Sequence, residues 1–128
     1  MYNMRIEHHI NKEKRLLNTA KKLDYEDDYE TLIENYLLSA AHLINATLHK
    51  LKILNQDKDI KHNQLYGLLL KEKSWSQSEE VADLIQQLEQ LRPSHVYGKG
   101  ENGETARIAE EIFNKIKKIC DEILKNER

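Results

Sequence analysis

Proline and cysteine each occur once in this chain of 128 residues, and glycine only four times. The single cysteine, Cys120, excludes an internal disulfide and fits a reducing compartment, so a cytoplasmic protein is expected. So few glycines and prolines, in a chain with clear apolar periodicity, argue against disorder. Long apolar runs are missing as well. The richest stretch, "LLSAAHLINATL", is interrupted by His42 and Asn45 and falls short of the roughly 20 apolar residues a membrane span needs. The start "MYNMRIEHHI" lacks the apolar segment of a secretion signal. A strong basic excess is absent too: the net charge of −2 argues against a constitutive nucleic-acid coat protein. No internal repeat, low-complexity tract or linker divides residues 1–128, so a single domain is expected.

Charged residues make up 33% of the chain and the hydrophobic set 39%, enough for one modest core under a highly charged surface. The charge is patterned. Residues 1–22 hold Arg5, Lys12, Lys14, Arg15, Lys21 and Lys22 against Glu7 and Glu13, while residues 23–36 hold six acids and no base. Apolar positions recur at helical spacing and nowhere alternate with period two. The pattern predicts helices over 3–22, Asp27–Leu54, Ile60–Leu70, Glu79–Leu91 and Glu104–Lys125. The acidic bend "DYEDDYE" is expected to cap the second of these, and Ser76 with Glu79 reads as a capping box for the fourth. Pro93 stops that helix. The expectation is an all-α, four- to five-helix antiparallel bundle.

Three of the four glycines and the proline fall in one stretch, "LRPSHVYGKGENGET", Leu91–Thr105. Gly98, Gly100 and Gly103 spell G-x-G-x-x-G at the start of a helix. The element before them is a helix and not a strand, which excludes a dinucleotide-binding βαβ unit. A turn is the simplest reading, with Asn102-Gly103 its strongest signal. A phosphate held at the free amides of the last helix, with Lys99, Arg92 and Arg107 around it, is the functional alternative.

The order "NYLLSAAHLINATLHKL", "DIKHN" and "LRPSHVYG" before a final amphipathic helix resembles the HEPN superfamily, the higher eukaryotes and prokaryotes nucleotide-binding domains, over about residues 25–125. That resemblance implies a helical bundle that pairs as a homodimer. It also implies either metal-independent endoribonuclease or RNA-binding activity, or a non-catalytic partner of a minimal nucleotidyltransferase. By position, Arg92, His95 and Tyr97 correspond to the arginine, histidine and tyrosine of the ribonuclease motif. Only Pro93 and Ser94 separate Arg92 from His95, a shorter spacer than the family motif has. RNA or a nucleotide is the expected ligand, with no cofactor and no membrane partner.

The other histidines are His8, His9, His42, His49 and His62. No two stand at i, i+4. His42 and His49 are seven apart, about 10 Å by helix rise, too far to share one ion. Surface or hydrogen-bonded core histidines are therefore expected, and no metal site. Cys120 lies in the apolar row of the last helix and should be buried and inert. Trp75 is expected to pack over an end of the bundle.

Overall fold

The computed structural model describes residues 4–55, 57–92 and 102–127, and every regular element among them is helical. The elements are α1 (Met4–Ala20), α2 (Tyr29–Lys50), a single 3-10 turn (His62–Gln64), α3 (Leu65–Lys71), α4 (Ser78–Gln90) and α5 (Asn102–Leu124). The helices pack against one another as a bundle. α2 lies at its centre, along α1 and α5 and against α4, while α3 packs on α4. Because α2 has neighbours on several sides, it is buried nearly all round, with Leu32, Ile33, Leu37, Ala40, Leu43, Ile44 and Leu48 in the core. Burying each leucine or isoleucine side chain contributes about 1.5–3 kcal/mol. The small residues Ser39, Ala40, Ala41 and Ala46, all buried, let neighbouring backbones approach α2 closely.

Several local expectations need correction. α2 begins at Tyr29 and has Asp28 as N-cap, but no side-chain cap bond forms there. The acids instead build the preceding turn. Asp24 Oδ2 accepts the Glu26 and Asp27 amides at 3.0 and 2.8 Å, and Asp28 Oδ2 accepts the Asp24 amide at 2.8 Å.

At its other end α2 stops at Lys50 and not at Leu54. The Lys52 amide bonds the His49 carbonyl at 3.0 Å, and the Ile53 amide bonds the Leu48 carbonyl at 2.9 Å. Lys52 itself has φ of 63°. This is a Schellman stop with lysine in the left-handed place that glycine usually takes. Without a glycine there, the sequence carried no stop signal.

The third helix starts at Leu65, after the 3-10 turn, and not at Ile60. Ser76 is not a cap. Gln77 takes that position without a side-chain bond, and Ser78 Oγ instead donates to the Leu69 carbonyl at 2.6 Å, tying α4 to α3.

In α5 the sequence suggests one apolar row of Ile108, Ile112, Ile116, Ile119 and Ile123, but that row starts exposed, with Ile108 at 37%. Steps of four advance about 40° round a helix of 3.6 residues per turn, so such a row drifts off one face. The buried row is Ala106, Ala109, Ile112, Phe113, Ile116, Cys120 and Leu124. Trp75 is buried, as a packing role requires.

Candidate functional site

The core-facing stripe of α1 runs Ile6, His9, Ile10, Glu13 and Ala20, all buried. Two of these are polar. Glu13, fully buried, meets Lys117 of α5 at 3.1 Å, a helix-to-helix ion pair. His9 faces α2, where His42, Asn45 and His49 stand at i, i+3 and i+7 and so share one side of the helix. Opposite them comes the segment that follows the Schellman stop.

Asn45 fixes that segment. Its amide nitrogen donates to the Ala41 and Ile60 carbonyls, both at 2.9 Å, and its oxygen accepts the Ile60 amide at 2.8 Å. With Ile60 pinned at both backbone groups, Asp59 is held beneath the histidines.

Asp59 Oδ1 lies 2.8 Å from Nε2 of His9 and 2.8 Å from Nε2 of His49. Its Oδ2 accepts from the Arg5 guanidinium at 3.3 Å. His9 stands between the two α2 histidines, its ring centroid 5.1 Å from His42 and 5.8 Å from His49. Its Nδ1 is 2.9 Å from Nδ1 of His42.

These contacts assign the tautomers. A carboxylate only accepts, so both Nε2 atoms carry hydrogen and donate to Asp59. Neutral His9 then offers a lone pair at Nδ1, and His42 must donate its Nδ1–H to it. The remaining nitrogen of His42, Nε2, is left with its lone pair. Nδ1 of His49 is buried without a hydrogen-bond partner among the described residues.

The electrostatics agree with that assignment. Burial lowers the pKa of His9 despite the Asp59 bond and charge, which act the other way. His42 is pushed down to about 4, first by burial and then by the neighbouring charges of His9 and Lys12, so its ring is neutral at pH 7. Burial alone would raise Asp59, but the bonds from His49 and His9, with the charges of His9 and Arg5, outweigh it and hold the carboxyl below its ordinary value.

Beside the cluster opens a cavity of about 200 Å³, lined among others by His9, His42, Asn45, Asp59, Lys61 and His62. His62 Nδ1 lies 2.5 Å from Oε1 of Glu89 on α4, which orients its ring. No family model, curated protein or solved structure matches the chain. What this region can do is therefore read from its chemistry: three imidazoles, that of His42 with an open lone pair, and the Lys61 ammonium line one small cavity.

The loop expected to carry the site is only partly described. His95, Tyr97, Gly98, Lys99 and Gly100 lie outside the described residues. Arg92 makes an ion pair with Glu34 of α2, Nε to Oε1 at 2.9 Å, and its terminal nitrogen also reaches Oε2. The Arg107 guanidinium lies 4.7 Å over the Tyr25 ring, and the Tyr25 hydroxyl donates to Glu110 at 2.6 Å. Gly103 lies in the first turn of α5, against the Glu26 carboxylate. The arginines that were expected to hold a phosphate thus both lie against side chains of the bundle itself.

Sequence reasoning missed His9, Asp59 and the role of Asn45. The signal it had was His9 on the α1 core stripe and the polar row 42–45–49 on a helix that is otherwise apolar. It weighed metal ligation only by spacing within one helix, and that cannot show what a second helix and a loop bring in.

Proposed function

We propose that the protein binds RNA and cleaves it without a metal ion, by general acid–base chemistry at the cavity between α1, α2 and the segment 57–62. The observation that carries this reading is the hydrogen-bonded chain from Asp59 through His9 to His42, which leaves the His42 Nε2 lone pair open on a histidine that lines the cavity with Lys61 and His62. In the reaction, His42 Nε2 takes the proton of a ribose 2′-OH, whose oxygen attacks the adjacent phosphorus. The bond from phosphorus to the 5′-oxygen breaks, and His62 delivers a proton to that oxygen. Lys61 stabilises the charge that grows on the phosphoryl oxygens. The products are a 2′,3′-cyclic phosphate and a 5′-hydroxyl. Exposed Lys14 and Arg15 on α1, with Lys21 and Lys22 just past its end, offer a basic surface for the strand.

The HEPN resemblance supports the same class of activity and adds a homodimer, which sedimentation of the purified chain tests. The second reading is a non-catalytic module, for instance a nucleotidyltransferase partner. The ion pair of Arg92 with Glu34 favours it, because the arginine is already neutralised.

The test is incubation of the full chain with single-stranded RNA in EDTA, beside His42→Ala and an Arg92→Ala/His95→Ala double variant. Cleavage lost with His42→Ala and retained by the double variant supports the cavity. The converse moves the chemistry to the 93–101 loop. No cleavage by the wild type leaves the interaction module, and salt-sensitive RNA binding then separates an RNA-binding module from a protein-binding one.

A further inference from the structure

Two imidazole nitrogens and one carboxylate oxygen, from three separate segments, converge at the head of this cavity. His9 Nε2, His49 Nε2 and Asp59 Oδ1 all lie within 4.8 Å of one another. We propose that His9, His49 and Asp59 bind a divalent transition-metal ion of the zinc class, and that this ion switches off the acid–base site beside it.

Imidazole and carboxylate are the donors that suit zinc and the later first-row divalent ions. The two distances to Asp59 Oδ1, 2.8 Å each, are close to what adjacent ligands on one ion require. At metal–ligand bonds of about 2.0–2.1 Å, neighbouring donors stand roughly 2.9–3.4 Å apart, so the two Asp59 pairs need only a few tenths of an ångström, while the two Nε2 atoms, within 4.8 Å of each other, must draw closer as the ion binds. An outer shell is in place as well. His42 touches the far nitrogen of His9, and Arg5 holds the far oxygen of Asp59. Because the cavity borders His9 and Asp59, an ion there can complete its coordination with water.

One neighbouring charge opposes the ion. The Arg5 charge repels a dication. The Nδ1 of His49 is buried without a partner, yet it lacks one whichever nitrogen carries the proton, so this cost does not discriminate strongly between states.

Binding rearranges the protons in a definite order. The ion takes the lone pairs of both Nε2 atoms, so His9 carries its hydrogen on Nδ1. That hydrogen is then donated to His42 Nδ1, and His42 must keep its own hydrogen on Nε2. The lone pair that the proposed function needs is gone. This second half rests on the proposed function; the binding half does not.

The experiment titrates the metal-free full chain with zinc by calorimetry and follows cobalt(II) absorption and thermal melting in parallel. One ion per chain is expected, with a rise in Tm because the ion links α1, α2 and the loop. Affinity should fall at least about tenfold in Asp59→Asn and in His49→Gln, and stay unchanged in His8→Ala, an exposed neighbour. Circular dichroism of the metal-free variants checks that each is folded, and Asp59→Asn preserves the size of the side chain. Sub-stoichiometric binding by the wild type, or equal affinity in Asp59→Asn and His49→Gln, overturns the site. Stoichiometric binding that leaves RNA cleavage by the wild type unaffected overturns the switch and keeps the site. If the wild type does not cleave RNA, the binding measurements still decide the site.

Discussion

Replacing Asn45 with alanine should disconnect the segment that carries Asp59. The buried side chain makes three hydrogen bonds, two of which satisfy the amide and carbonyl of Ile60. The third goes to the Ala41 carbonyl, which the helix ladder already serves, so the loss concentrates at Ile60. Each bond is worth about 0.5–1.5 kcal/mol net, and polar groups left half-buried without partners add to that, giving roughly 2–4 kcal/mol. For a domain of this size, about 4 °C of Tm per kcal/mol implies a fall of roughly 10 °C. Asn45→Asp keeps the acceptor for the Ile60 amide but turns a carboxylate oxygen toward two carbonyls, so it should lose at least as much near neutral pH. Urea unfolding of wild type and both variants, compared at equal m-value, measures the cost. Hydrogen exchange at the Ile60 amide reports the local release. A loss below about 0.5 kcal/mol in Asn45→Ala, with Ile60 still protected, would refute the claim that this one amide positions the site.

Lys52→Gly should raise stability by about 1 kcal/mol, because the left-handed backbone at φ 63° costs an L-residue about 1–2 kcal/mol and glycine gives back part of that gain as chain entropy; unchanged denaturation midpoints would count against the Schellman assignment. Burial pushes the Cys120 thiol up from 9.0 to about 12, so its contribution is complete below pH 9, where both states hold the proton, and is lost as pH rises toward 12 while only the unfolded chain ionises. The stability gap between wild type and Cys120→Ala should therefore narrow by about 1.4 kcal/mol per pH unit above 9, and a constant gap in urea titrations at pH 8.5 and 10.5 would contradict this.

Much of the fold was legible because helical periodicity is a local property. The five helices and the burial of Cys120 and Trp75 follow from spacing and composition. The boundaries that failed did so where a residue did an unusual job. Lys52 takes a glycine position at the end of α2, and Asp24 and Asp28 spend their carboxylates on the turn before it instead of capping the helix. The site was much less legible. His42 and His49 are too far apart along α2 to act on one ion, as the spacing showed. That distance does not constrain His9, which enters from α1 between them, stacked on His49 and tilted against His42. Asp59 had no signal of its own, since an acid in a polar loop is unremarkable until Asn45 folds that loop onto the helix.

The cluster contributes little to stability for the polar groups it withdraws from water. Withdrawing the His9 and His49 rings from solvent has a cost that their bonds to the still exposed Asp59 only partly return, and apolar residues of similar volume often serve a core as well or better. The α1–α2 seam already has Ile6, Ile10, Leu37 and Ala41, so leucine at positions 9 and 49 would extend an existing core. Histidine at both positions instead yields an arrangement in which one carboxylate fixes the tautomers of three rings and ties two helices to a loop. Any ligand that competes for Asp59 must therefore act on all three segments together. That is the property of a site whose occupancy changes what the neighbouring cavity can do.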